Sequence, residues 1–132
     1  MKQAIYVVAL ASLLSGAHAG APLRGCRHVE FSELKQMSTE RLAKEWCTNT
    51  SRVNELQRDI KFTSISLSTS KELAKMGGVL SKERAVSAVE EDRRITDAQG
   101  ELNKCSDELE RITQILDGRK GGKAAKEAQF CP

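Results

Sequence analysis

The stretch Ile95–Leu116, ITDAQGELNKCSDELERITQIL, decides how this chain folds. Ile95, Leu102, Leu109 and Leu116 recur every seven residues, and Ala98, Cys105 and Ile112 fill the alternate positions. Charged side chains occupy the flanks. An apolar stripe of this period on a charged background marks an amphipathic helix whose seam faces a neighbour. Gly100 is its weak residue, since glycine costs about 1 kcal/mol relative to alanine inside a helix. A helix is therefore expected over about 82–117, capped by Ser81 with Glu83 in its first turn, and ended by Gly118 and Gly121-Gly122.

Upstream, Met76-Gly77-Gly78 breaks the pattern, and a second seven-residue repeat precedes it. Trp46, Val53, Ile60, Leu67 and Ala74 form one row; Leu42, Asn49, Leu56, Thr63 and Ser70 form the other, half of it polar. Ser32 and Ser38 are candidate helix caps, and Glu40 after Ser38-Thr39 places an acid where the helix dipole favours it. A helix is expected over about 39–76. Its difficult part is Thr63–Ser70, TSISLSTS, because serine and threonine compete for backbone groups in helix interiors. Thr69 with Glu72 even forms a capping-box pattern that would restart a helix. The repeat nevertheless passes through without a change of phase, which favours continuity.

Two such helices joined by a turn at 77–81 predict an all-α, antiparallel, coiled-coil-like hairpin. A left-handed Gly78 would return Val79 onto Leu73 or Ala74. Short flanking helices would complete it: Phe31, Leu34 and Met37 make a small stripe suited to docking near Trp46, and a basic link and terminal turn cover 118–132. Two hairpins pairing into a four-helix bundle is the other way so thin a structure buries its seam.

The first nineteen residues read as a signal peptide: Lys2, an apolar run from Ala4 to Leu14, and Ala17-His18-Ala19 as the cleavage pattern. That run is shorter than the roughly twenty residues that span a bilayer. The mature domain is then 20–132, and its formal charge falls from +3 by the loss of Lys2 alone. Leu23-Arg24-Gly25-Cys26 resembles a lipoprotein cleavage box, but it stands well beyond the apolar run and carries an ill-placed arginine. Cys26, Cys47, Cys105 and Cys131 all remain after cleavage, and an even count in an exported chain predicts two disulfides. Cys47–Cys105 and Cys26–Cys131 are both centred close to the diglycine, so nested pairing is expected. Local pairing, Cys26–Cys47 with Cys105–Cys131, is the competitor.

Catalytic groupings are scarce. His28 is the single histidine of the mature chain, the thiols are consumed by disulfides, and no phosphate-cradling glycine loop is present. The acids of Glu90-Glu91-Asp92 and Asp107-Glu108-Glu110 are expected on charged outer faces. Neither an enzyme nor a cofactor or metal site is expected. The modest net charge and few aromatics do not suggest nucleic acid. Two candidate interaction patches stand out: the apolar hairpin tip, Leu73, Met76, Val79 and Leu80, and the basic cluster Arg119, Lys120, Lys123 and Lys126. Asn49-Thr50-Ser51 matches a glycosylation acceptor. The expected function is an exported helical protein–protein interaction module, periplasmic or secreted, with no transmembrane segment. It would be an envelope assembly or accessory subunit, or an inhibitor or immunity-type binder, whose partner is another exported or envelope protein, with homodimerisation open. The alternative is a secreted effector or cytokine-like helical ligand acting on host cells.

Overall fold

The computed structural model describes residues 25–131; the expected signal peptide and its cleavage site lie outside them. Four helices follow in order: α1 (Phe31–Gln36), α2 (Thr39–Lys75), α3 (Ser81–Asp117) and α4 (Gly122–Glu127). The two long helices, each 37 residues, lie antiparallel as a hairpin about 55 Å long at 1.5 Å per residue. The helix α2 runs unbroken through the serine-rich stretch. It starts as its sequence directs: the Ser38 hydroxyl accepts a hydrogen bond from the Arg41 amide at 3.1 Å.

The register is centred close to Val79. Arg119 reaches the Thr39 hydroxyl, and both are forty residues from Val79 in sequence. Leu42 and Leu116 share one buried cluster, as do Trp46 and Ile112; Val53 and Cys105, Leu56 and Leu102, and Ile60 and Ala98 share the other. Each of these pairs is equidistant from Val79, so both rows of the repeat interleave along one seam. The half-polar row proves the deeper one in α2: Leu42, Asn49, Leu56, Thr63 and Ser70 are all buried. Of the other row only Leu67 is. Small or polar residues win the central positions because they let the helix axes approach.

The core is unevenly distributed. At the open end of the hairpin, α1 and the segment before it add Val29, Leu34 and Met37 to Leu42, Ile112 and Leu116, with Trp46 and Ile115 packed around them. Phe31 remains partly exposed beneath the Lys35 ammonium, 4.5 Å from the ring centroid. The second cluster, around Leu56, Ala98 and Cys105, occupies mid-hairpin. Toward the tip only Leu67, Ala88, Thr63 and Ser70 are buried.

The cysteine pairing differs from expectation. Cys26 bonds Cys105 and Cys47 bonds Cys131, an interlaced rather than nested arrangement. The register explains it. Cys105 faces Val53, so Cys47 is displaced from it by about six residues, roughly 9 Å along the axis. A disulfide accepts Cα separations of only about 4.4–6.8 Å. Cys47 also lies outside both seam rows. Each terminal segment therefore crosses to the helix it is not covalently continuous with. The lead-in runs beside α3, in the same direction, from Cys26 at Cys105 to Val29 at Glu108. The tail after α3 returns to α2 at Cys47. The start of α4 folds so tightly against the end of α3 that a side chain at Gly122 would collide with the Leu116 carbonyl.

Three further local expectations are corrected. Gly77 and Gly78 both adopt positive φ, +71° and +99°, yet the turn carries Val79 outward instead of back onto Leu73. Ser81 is the first residue of α3, and its hydroxyl donates to the Gly78 carbonyl at 3.0 Å instead of accepting from a helix amide. Ser32 is not a cap either, since α1 begins after Glu30.

Candidate interaction surface

Two acids expected on outer faces lie inward. Glu108 is 3% exposed. Its carboxylate accepts from the Val29 amide at 3.2 Å and from Arg111 at 2.9 Å. Arg111 also donates to the Val29 carbonyl at 2.6 Å, and His28 stands 3.4 Å from the same carboxylate. This cluster fastens the lead-in to α3 and borders a groove of about 450 Å³ lined by Cys26, His28, Lys104, Asp107, Glu108 and Arg111. Every one of its buried polar atoms has a partner, so it reads as a clamp. The position was legible: Glu108 falls between Cys105 and Ile112, three and four residues from seam positions. Glu91 occupies the seam as well; Oε1 accepts from Ser70 Oγ at 2.9 Å and Oε2 is buried without a hydrogen bond.

The basic cluster is dispersed by its own contacts. Arg119 donates to the carbonyls of Met37 at 2.6 Å and Lys35 at 2.7 Å, closing α1 onto the end of α3. Lys126 pairs with Asp117 at 2.6 Å and lies 5.8 Å over Trp46. Only Lys120 and Lys123 point to solvent with no structural employment assigned by these contacts. Asn49 is 5% exposed, which withdraws the glycosylation acceptor from the surface of the folded chain. Among the described residues no group of three or more His, Cys, Asp or Glu is placed to hold a metal ion, and no helix is long and apolar enough to cross a membrane.

The four tip residues are all exposed. Val79 is 96% exposed and Met76 79%, with Leu80 and Leu73 less so. The apolar surface also extends beyond them. Phe62 and Ile65 project from α2, and Val86 and Val89 from α3, all more than half exposed. Sequence reasoning missed these four because they fall outside the seam repeat, on positions that a two-helix reading assigns to solvent. The outlying signal was their own spacing. Single exposed apolar residues are ordinary on a protein surface; eight concentrated in the outer half of one hairpin, on the outward sides of both helices and at the tip between them, exceed that background. Comparison with known proteins finds no matching family model, no matching curated protein and no matching solved structure.

Proposed function

We propose that the protein is an interaction module that presents the outer half of a disulfide-stapled helical hairpin to another exported protein, as an assembly subunit or inhibitory binder does. One observation carries the reading: large apolar side chains cover the outside of the hairpin toward its tip, while the seam between the helices there is made of Thr63, Ser70, Ala88 and Glu91 around Leu67. Such an arrangement inverts the usual burial preference and gains stability only when another surface covers it. The two formed disulfides fit an oxidising compartment outside the cytoplasm, periplasmic or extracellular.

The test is site-specific photo-cross-linking at Val89, on the α3 face, with the same probe at Lys120 near the stapled end as control. A single stoichiometric adduct to a different protein at Val89, absent at Lys120 and abolished by Val86→Lys with an unchanged circular dichroism spectrum, is the expected result. Equal labelling at both positions, or no adduct at Val89, refutes the reading.

A further inference from the structure

The two disulfides are not equivalent. In the unfolded chain either bond, with the other intact, closes a loop through the same two segments, 26–47 and 105–131. Loop-closure entropy therefore does not distinguish them, and a difference in how readily they open lies in the folded state. There the sulfurs stand in unlike surroundings. Cys105 is fully buried in the mid-hairpin cluster with Leu56 and Ala98, and Val53, Ile60 and Leu102 pack around it. Cys47 and Cys131 are both half-buried. An open groove of about 260 Å³, lined by Thr48, Ser51, Arg52 and Glu55, reaches the Cys47 side of their bond.

Thiol exchange expels one sulfur of the attacked bond as a thiolate, and a poorly stabilised thiolate leaves slowly. Cys26 is half-buried and borders the groove beside His28, so a thiol can reach it. Attack there expels Cys105 into apolar surroundings that do not solvate its charge. Attack on either sulfur of Cys47–Cys131 expels one that water reaches. The tethers differ as well. If Cys26–Cys105 opens, Val29, three residues on, is still held by Glu108 and Arg111, so Cys26 stays beside its partner and the bond re-forms. Cys131 has no such hold. The last hydrogen bond of the tail runs from the Gln129 amide to the Lys126 carbonyl at 3.0 Å. Phe130 is 95% exposed, and among the described residues neither it nor Cys131 makes a hydrogen bond or ion pair.

We propose that Cys47–Cys131 is a thiol-exchangeable clasp, the site at which a dithiol oxidoreductase acts on this protein, while Cys26–Cys105 is a permanent staple. One thiolate of the dithiol bonds to Cys131 Sγ; the Cys47–Cys131 bond breaks, and its electron pair leaves on Cys47 Sγ, which takes up a proton. The second thiol gives up its proton and attacks the mixed disulfide from the dithiol side, and Cys131 leaves as a thiolate and is protonated. The protein gains two electrons and two protons, and the dithiol becomes a disulfide. Opening frees the end of the tail from α2, while the Lys126–Asp117 pair still holds α4 to α3. Trp46, next to Cys47 and under Lys126, loses its cover. The inference does not depend on what meets the outer half of the hairpin.

The test exposes the oxidised mature chain, without denaturant, to reduced thioredoxin and in parallel to dithiothreitol, with acid quenching, alkylation and peptide mapping over time. In both arms a species with one disulfide should accumulate, alkylated at Cys47 and Cys131 and still carrying Cys26–Cys105. The first bond should open at least about tenfold faster than the second. The emission of Trp46, the one tryptophan of the chain, should change in that first step. The inference is overturned if Cys26–Cys105 opens first or both bonds open together in either arm. It is equally overturned if thioredoxin leaves Cys47–Cys131 closed, or if the bond opens without moving the Trp46 emission.

Discussion

The interlaced disulfides give the sharpest quantitative expectation. Consider the variant Cys47→Ala/Cys131→Ala, which keeps Cys26–Cys105. The lost bond joins residues 84 apart, but in the unfolded chain the remaining bond already offers a shortcut. From Cys47 the chain runs back to Cys26, across the bond, and on from Cys105 to Cys131. That path is roughly 47 residues, for which loop closure is worth about 4 kcal/mol. The whole domain is expected to hold about 5–15 kcal/mol, so the variant should lose a large share of its stability. Its melting temperature should fall by about 15–30 °C. Urea titration by circular dichroism reads the loss, which should exceed any change explained by Lys126 and Trp46 losing their contact. The reciprocal variant, Cys26→Ala/Cys105→Ala, tests the pairing itself. With interlaced bonds it leaves Cys47 and Cys131 joined to each other and no reactive thiol. Two free thiols there, or a loss below about 1 kcal/mol in the first variant, would refute the reasoning.

Three other substitutions probe the fold. Glu108→Ala removes the carboxylate beside Arg111 and leaves the Val29 amide without its acceptor, and should cost about 2–3 kcal/mol in urea titration, with faster amide exchange at Val29; unchanged exchange there would show that the Cys26 bond and the Arg111 contact with the Val29 carbonyl hold the lead-in without Glu108. Gly100→Ala should stabilise by about 0.5–1 kcal/mol, because the site is helical, exposed and has open space where the methyl would stand. Ser70→Ala alone should destabilise, leaving Glu91 without its donor, whereas Ser70→Ala with Glu91→Leu should be at least as stable as the native chain; a double variant weaker than the single one would contradict the burial assigned to Glu91.

How far the sequence carried can be seen residue by residue. The seven-residue repeat gave both long helices and the all-α hairpin, and it passed correctly through Thr63–Ser70. Ser38 identified itself as a cap because that chemistry is local. The disulfide pairing was not legible, because symmetry about the diglycine treats the turn as a point. The turn spans several residues, and displacing the centre from 76 to Val79 moves Cys47 a full 9 Å off its supposed partner. Val79 misled in the same way: whether a residue after a glycine pair folds inward depends on two φ angles, and both here are positive. The basic cluster failed for another reason. Arg119 and Lys126 are charged in the sequence but serve as tethers in the structure, and nothing in composition separates a solvated cation from one that closes a helix end.

The two halves of the hairpin divide their work, and the division follows from where bulk is placed. Near the open end, Leu34, Leu42, Ile112 and Leu116 are fully or nearly fully buried, and the Arg111–Glu108 and Arg119 contacts bind both terminal segments to the long helices. Toward the tip the seam holds little but Leu67, Ala88, Thr63 and Ser70. At about 25 cal/mol per Å² of apolar area, such small side chains do not hold two helices together by themselves. The Phe62, Ile65, Val86 and Val89 side chains that would do so point outward instead. Both disulfides tie Cys47 and Cys105 to the terminal segments on the stapled side, which keeps the helix pair in register. A chain built to be stable alone would exchange these positions, with the valines and Phe62 facing the seam and the serines outside. That it does the reverse is the observation on which the proposed interaction role rests.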